Sequence, residues 1–141
     1  DRKRAAALLK DVGMEEQASQ LPATLSGGQR QRAALARTLM EDRSVVLMDE
    51  PFSSLDAITR TRLQALASSL LRDRTVLLVT HDPLEALRLG HRIYVMAGRP
   101  AVMDPAMTPN GEPPRALDDQ HLLARQADLL TRLASAQDLT V

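Results

Sequence analysis

The order of apolar and polar residues predicts helices in the first third of the chain. Two short helices are predicted over Arg2–Val12 and Glu15–Gln20. A longer helix is predicted over Ser26–Met40, because Ser26 can cap its first turn and Gln29 stands three positions further on. This spacing is the capping-box pattern, which marks the start of a helix.

The middle of the chain shows strands and helices in alternation. Short apolar runs predict three strands of one parallel sheet, the first two of them buried, at Ser44–Met48, Thr75–Val79 and Ile93–Met96. Helices are predicted between them over Asp56–Arg72 and Asp82–Leu89. The expected inner stripe of the first of these helices is Thr59, Leu63, Leu66 and Leu70. This order indicates an α/β fold with right-handed crossovers.

The last third of the chain begins with a predicted edge strand at Ala101–Met103. Five of the eight prolines fall between residues 100 and 114, so 105–116 is expected to be an extended linker. Leucines at helical spacing then predict an amphipathic helix within 117–141, packed on its own domain or, alternatively, on a partner. The preceding domain, 1–104, is divided into a helical part, 1–43, and an α/β part, 44–104.

Composition narrows the classes of protein and partner. Of its 141 residues, 44% are apolar and 26% are charged, which is the composition of a globular domain. The 18 basic and 18 acidic side chains balance, so nucleic acid is not expected as a partner. Without cysteine it forms no disulfide, and no apolar run approaches the roughly 20 residues that cross a bilayer. Because the sequence begins at Asp1 and carries no signal pattern, we expect a piece of a longer protein.

Lysine is scarce, which excludes one kind of nucleotide site. The only two lysines, Lys3 and Lys10, stand in the first predicted helix, and neither follows a glycine. The 141 residues therefore contain no complete G-x-x-x-x-G-K-[ST] loop, the motif that cradles phosphates through its backbone and its lysine.

The first candidate site is the start of the long helix, Leu25–Gln29. A helix N-terminus leaves backbone N–H groups unpaired and carries a partial positive charge, which suits an anion. Gly27 and Gly28 weaken the first turn by roughly 1 kcal/mol each, a cost expected where a ligand must approach the backbone closely. Ser26 would add a hydroxyl donor. The alternative is a flexible helix start.

The second candidate site is the pair Asp49 and Glu50 at the end of the first strand. Open α/β sheets bind ligands at this edge, and neighbouring strand residues point to opposite sides, so different roles are expected. Asp49 suits a hydrated Mg²⁺, and Glu50 suits the orientation or deprotonation of an attacking water. The alternative is a turn with two solvated acids.

His81 directly follows the second predicted strand and is expected at the same edge. The interval of 32 residues from Asp49 to His81 matches one strand-helix-strand unit of roughly 30 residues. Between them lies Ser53–Asp56, where Asp56 is also a candidate helix cap.

Together these residues resemble the carboxyl-terminal half of the nucleotide-binding subunit of an ATP-binding cassette (ABC) transporter. The likeness covers about residues 1–103, with four motifs in the order and spacing of that family. They are the signature at Leu25–Gln29, the Walker B strand with its catalytic glutamate at Val45–Glu50, the D-loop at Ser53–Asp56 and the switch histidine, His81. The resemblance implies a P-loop NTPase-like parallel sheet flanked by helices, preceded by part of the helical signature subdomain.

The resemblance also implies ATP and Mg²⁺ as ligands, and a head-to-tail dimer with a second nucleotide-binding subunit. The residues expected to contact the γ-phosphate of an ATP held by that subunit are Ser26, Gly27, Gly28 and Gln29. Asp49 would hold Mg²⁺, and Glu50 would polarise the attacking water. His81 would hydrogen-bond to the γ-phosphate, and Asp56 would follow the dimer seam. Phosphoryl transfer needs mainly such positioning and charge stabilisation.

The local sequences Asp49–Ala57 and Thr80–Ala86 are similar to bacterial importers for nitrate, sulfonate, taurine and thiamine precursors, particularly the hydroxymethylpyrimidine type. The implied function is that of an ATP-hydrolysing subunit that energises uptake of a small solute. It would be peripheral at the cytoplasmic face of the inner membrane. Its partners would be transmembrane permease subunits and, indirectly, a periplasmic solute-binding protein.

The sequence departs from the family upstream of the signature. It lacks the Walker A loop, the adenine-stacking aromatic residue and the Q-loop, so the 141 residues alone are expected to bind ATP very weakly and not to hydrolyse it. An unpaired sheet edge is expected as well. Two alternatives stay open, an ABC ATPase outside transport and a non-catalytic half-domain that contributes only its signature face to a partner.

Overall fold

The computed structural model of the chain describes residues 1–41 and 43–138. The chain divides into two compact units, Asp1–Val79 and Thr80–Val141. Helices accompany a parallel strand pair in the first unit, which confirms the α/β fold class. Within the described ranges, no helix has the length and apolar character needed to cross a bilayer.

The first unit opens with helix α1, Arg2–Asp11, close to its predicted bounds. The second predicted helix is wrong in extent, because only a single 3₁₀ turn forms, at Glu15–Gln17. Gly13 lies between them with φ +67°, a conformation that ends a helix without steric cost. Met14, only 1% exposed, then turns the chain into the core instead of continuing α1.

Helix α2, Gly27–Met40, begins and ends as predicted. Its capping box is complete: the Gln29 N–H donates to Ser26 Oγ (3.2 Å), and the Ser26 N–H donates to Gln29 Oε1 (2.8 Å). Leu35 and Leu39 bury one face of the helix. The N-terminal turn of α2 is therefore closed by reciprocal hydrogen bonds, while the alternative of a flexible helix start stays open.

Two parallel strands follow, β1 (Val45–Asp49) and β2 (Thr75–Val79), with Asp49 opposite Val79. Helix α3, Ala57–Leu70, connects them. It buries Leu63, Gln64 and Ala67, whereas Leu70 is 42% exposed, so the expected inner stripe was only partly right.

The expectation of strands buried on both faces is wrong. Val46 and Met48 of β1 are buried, whereas Val45 and Leu47 are 58% and 72% exposed. No residue of β2 is fully buried. Among the described elements of the first unit, none packs over the side of β1 that carries Val45 and Leu47. An apolar run therefore shows which residues can be buried, but not whether a second layer covers them.

The second unit begins with helix α4, Pro83–Leu89, and its cap is the predicted one. Asp82 accepts hydrogen bonds from the N–H groups of Leu84 (2.9 Å) and Glu85 (3.3 Å). A third parallel strand is not formed in the described residues, so that prediction is wrong.

Strand β3, Met96–Ala97, instead pairs antiparallel with β4, Val102–Met103, through a turn that contains Gly98. Ile93 pairs with Met107, with both backbone N–H···O distances at 2.8 Å. The chain thus turns back after Gly98, and β4 becomes the hydrogen-bonding partner of β3. This pairing satisfies backbone N–H and carbonyl groups that the prediction had paired within the parallel sheet.

The Pro-rich segment 105–116 is fixed to the second unit and differs here from the expected extended linker. Arg115 is 5% exposed, and its guanidinium uses all five N–H donors on main-chain carbonyls at 2.6–3.1 Å. The acceptors belong to Leu87, Gly90, Pro109, Asn110 and Gly111. Burial lowers the pKa of Arg115, while Glu112 and Asp119 oppose this effect. The predicted domain boundaries stay predictions.

Helix α5, Gln120–Asp138, packs on its own unit, the preferred of the two predictions. Leu122 and Leu129 join the buried cluster that contains Leu87, Ile93 and Met107. Residues 139–141 of the predicted terminal segment lie outside the described residues.

We predict that Arg115→Met destabilises the 141-residue chain by on the order of 3 kcal/mol, because several buried carbonyls lose a charged donor. Urea unfolding followed by circular dichroism measures this. The matched control is Arg125→Met, whose side chain is 48% exposed and whose ion pair with Asp128 spans 3.9 Å. That change should cost less than about 0.5 kcal/mol. Equal effects of the two variants would contradict the role given to Arg115.

Candidate functional site

Asp49 and Glu50, the two acidic residues of the predicted site, lie at the carboxyl end of β1. The strand pairing continues one residue beyond β1, because the Glu50 N–H donates to the Val79 carbonyl (2.9 Å). Glu50 itself has φ +48°, in the left-handed region that a residue other than glycine seldom adopts. This conformation costs roughly 1–2 kcal/mol and persists only where the surroundings hold it.

The surroundings that hold Glu50 include a side chain from α2. Gln31 Nε2 donates to the Glu50 carbonyl (2.7 Å) and to Ser53 Oγ (3.2 Å), and Gln31 Oε1 accepts from the Ser54 N–H (2.9 Å). Ser53 Oγ also donates to the Glu50 carbonyl (3.1 Å). We call these contacts of Gln31 the Gln31 bridge. It joins the signature helix to the turn after β1.

The sequence analysis did not single out Gln31. One signal was available, since Gly28, Gln31 and Leu35 share one face of α2 by helical spacing, and Leu35 is apolar. A polar residue on a buried helix face needs hydrogen-bond partners. Which partners it finds depends on the fold, and no local pattern names them.

The two signature glycines differ in their surroundings. A Cβ built on Gly27 meets nothing within 4 Å, whereas one on Gly28 meets the Ser54 carbonyl oxygen at 3.4 Å and Leu55 Cδ2 at 3.9 Å. A Cβ at position 28 would thus be in ordinary van der Waals contact with the turn after β1, whereas position 27 faces open space. The expectation that both glycines allow a ligand to approach the backbone stays a prediction.

Mg²⁺ can be held at this edge only with additional oxygen ligands. Asp49 is exposed and Glu50 is half-buried. Within the described residues, no three His, Cys, Asp or Glu side chains come together in a group that could hold a metal ion. Mg²⁺ usually takes one or two carboxylates together with waters and substrate phosphates. Asp49 fits Mg²⁺ as one such carboxylate.

Asp56 caps helix α3, as its position suggested. Its Oδ1 accepts a hydrogen bond from the Thr59 N–H (3.0 Å). The hydrogen bonds from Thr59 lower the pKa of Asp56 below its ordinary value of 3.8. The carboxylate is exposed, so capping still leaves it accessible to another chain.

His81 belongs to the second unit, two residues after β2. Its side chain is exposed. The neighbouring Asp82 N–H donates to Thr80 Oγ1 (3.0 Å), which shapes the turn into α4. A common site for His81 and Glu50 stays a prediction.

A cavity of about 280 Å³ in the second unit contains none of the predicted site residues. Leu87, Arg115, His121 and Leu122 are among its lining residues. Every N–H donor of Arg115 in the wall of this cavity is already bonded to a main-chain carbonyl, so Arg115 offers no donor to a ligand there.

Comparison with known proteins bears on the resemblance to ABC transporters. A family model described as ABC transporter matches residues 1–53. An "Uncharacterized ABC transporter ATP-binding protein" of Haemophilus influenzae is 47% identical over 95% of this chain and 57% of its own length. Over most of its length the chain is thus similar to ATP-binding proteins of ABC transporters.

Other relatives carry a more specific name. An "Aliphatic sulfonates import ATP-binding protein SsuB 2" of Burkholderia lata is 46% identical over 94% of this chain and 50% of its own length. A protein of Rhodococcus jostii named "Aliphatic sulfonates import ATP-binding protein SsuB 1" is 45% identical over 97% and 56%. The chain thus spans about half the length of these relatives.

A solved structure supports the fold independently. One chain of a structure described as a metal-chelate type ABC transporter in an inward-facing conformation matches with a TM-score of 0.59 and 24% identity. The match covers 72% of this chain and 41% of that chain. At this identity the likeness bears on the fold alone.

We predict a pH-dependent contribution of Asp56 to stability. Because its pKa is lowered in the folded chain, the ionised carboxylate stabilises the fold above pH 3.8, and this effect is lost as the pH falls through the lower, folded value. Asp56→Asn, which keeps a capping oxygen, should lower the urea midpoint at pH 7 but not at the acid end. Asp56→Ala, which removes the cap, should lower it at both. A constant difference between wild type and Asp56→Asn at every pH would contradict this account.

Proposed function

We propose that this chain supplies one half of an ATP-hydrolysing subunit that energises the import of a small solute. The observation that carries the proposal is the Gln31 bridge, with Gly28 against Ser54 beside it, because together they place the signature helix directly on the acidic end of β1. An anion-binding helix start and a water-activating carboxylate are the parts that phosphoryl transfer requires.

Glu50 would act on the attacking water. Its carboxylate can accept a hydrogen bond from that water and take its proton as the bond to phosphorus forms. The backbone of Glu50 is left-handed, and hydrogen bonds hold both its N–H and its carbonyl. These bonds would fix the Cα position from which the side chain with the carboxylate extends. Asp49 would hold Mg²⁺, which, when bound, neutralises charge on phosphate oxygens.

The start of α2 would bind the γ-phosphate of an ATP held by a second subunit in a head-to-tail dimer. Ser26 Oγ accepts from the Gln29 N–H in the capping box, so its own hydroxyl proton can point to a phosphate oxygen. Gln29 Oε1 is engaged with the Ser26 N–H, which turns the NH₂ group of Gln29 into the available donor. The open space at Gly27 suits close approach of the phosphate to backbone N–H groups.

His81 and Asp56 would complete the site. His81 would donate a hydrogen bond to the γ-phosphate. Asp56, exposed at the start of α3, would lie along the dimer seam and connect the two nucleotide sites. Both roles follow from the motifs in which these residues stand.

The solute is proposed to be a small organic anion such as an aliphatic sulfonate. The names of several relatives support this class over the hydroxymethylpyrimidine type that the local sequence suggested. The subunit would act peripherally at the cytoplasmic face of the inner membrane. It would bind permease subunits there and depend indirectly on a periplasmic solute-binding protein.

A second candidate is a non-catalytic half-domain that offers its signature face to a partner. The observation that favours it is the absence of a G-x-x-x-x-G-K-[ST] loop from the 141 residues. The coding sequence upstream separates the two candidates. A continuous reading frame with that loop and a Q-loop supports the ATPase, whereas a start codon at this point supports the half-domain.

We predict that Glu50→Gln in the complete gene product abolishes ATP turnover and retains ATP binding, because the amide cannot take a proton from water. Phosphate release and equilibrium nucleotide binding measure the two properties. The matched control is Glu41→Gln, an exposed residue immediately after α2, which should leave turnover unchanged. Turnover that survives Glu50→Gln would remove Glu50 from the role of general base.

We also predict that the 141-residue chain by itself neither binds Mg-ATP at micromolar concentration nor hydrolyses it, since it has no loop to cradle the β- and γ-phosphates. Isothermal titration measures the binding. Micromolar affinity would show that other residues of the chain replace that loop.

A further inference from the structure

We infer that Gln31 is a positioning residue for Glu50, an inference that rests on the proposed role of Glu50 in ATP hydrolysis. Gln31 lies in the second turn of α2, beyond the signature motif. Its side chain makes hydrogen bonds of 2.7, 3.2 and 2.9 Å with Glu50, Ser53 and Ser54. All three partners belong to the turn between the acids and α3.

The chemistry of this position requires a carboxamide. The Glu50 carbonyl can only accept a hydrogen bond, and the Ser54 N–H can only donate one. The side chain between them must therefore present a donor to one and an acceptor to the other, which fixes the orientation of the Gln31 amide. A carboxylate keeps the contact with Ser54 and loses the one with Glu50. An aliphatic side chain loses both.

The bridge acts where the backbone is strained. Glu50 has φ +48°, and its carbonyl accepts from the side chains of Gln31 and Ser53. When Gln31 is removed, Ser53 Oγ still donates to this carbonyl, but Ser53 itself loses its contact with Gln31 Nε2. The backbone of Glu50 can then relax toward an ordinary φ, and the position of the Glu50 carboxylate changes as a result.

A second contact also joins α2 to this turn. Gly28, one helical turn before Gln31, lies against the Ser54 carbonyl oxygen and Leu55. The two contacts stand on the same face of α2. Helix α2 thus sets the position of the proposed base through Gln31, whose hydrogen-bond partners are Glu50, Ser53 and Ser54.

The test uses Gln31→Glu, which keeps size and the acceptor but removes the donor to Glu50. In the complete gene product we expect kcat to fall about ten- to a hundred-fold, since misplacement of a reacting group by an ångström has effects of that size. The KM for ATP should stay within about two-fold, because binding contacts are unchanged. Arg37→Ala, an exposed position on the same helix, is the matched control and should retain wild-type turnover.

A readout independent of activity uses the 141-residue chain. In Gln31→Ala, hydrogen–deuterium exchange of the Ser54 amide should accelerate at least about ten-fold, because that N–H loses its acceptor. The Thr59 amide, bonded to Asp56, is the internal control and should not change. Circular dichroism checks that the variant is folded.

A protected Ser54 amide in Gln31→Ala would overturn the inference, and so would a wild-type kcat in Gln31→Glu while Glu50→Gln is inactive. A rise in KM alone would do the same, since it indicates a binding role. Turnover that survives Glu50→Gln would instead refute the proposed role of Glu50 as general base, and the exchange of Ser54 would still decide whether Gln31 holds the turn.

Discussion

Glu50 has a strained backbone, and both its N–H and its carbonyl form hydrogen bonds. Its N–H extends the ladder between β1 and β2 to Val79, and its carbonyl accepts from Gln31 of α2 and from Ser53 of the following turn. Three separate elements therefore form hydrogen bonds with the backbone of this one residue. Without these bonds a left-handed glutamate would revert to an ordinary conformation, and the acidic end of β1 would lose its fixed geometry.

The two units use different means to order irregular segments. In the first unit a neutral side chain, Gln31, donates and accepts at the turn beyond β1. In the second unit a buried cation, Arg115, gathers five carbonyls and thereby orders a Pro-rich segment that has little regular structure of its own. Both side chains satisfy main-chain groups that neither helix nor sheet can pair.

Local chemistry was predictable wherever its partners are near in sequence. The caps at Ser26, Asp56 and Asp82 follow from side chains that reach backbone N–H groups two or three residues away. The positions of β1 and β2 follow from short β-branched and apolar runs. Burial was less predictable, as the exposed Leu47 shows, because an apolar strand carries no information about what covers it.

The sequence by itself determined the resemblance to ABC transporter ATP-binding proteins and the bounds of α1, α2, β1, β2 and α4, since these bounds depend on residues within about one helical turn or one strand. The tertiary structure alone decided that Gly28 packs on Ser54, that Gln31 holds Glu50 and that Arg115 ties down the Pro-rich segment. The contacts Gln31–Glu50 and Arg115–Leu87 join residues 19 and 28 positions apart. Their hydrogen-bond partners are main-chain groups, which every sequence offers alike, so only the folded path selects among them.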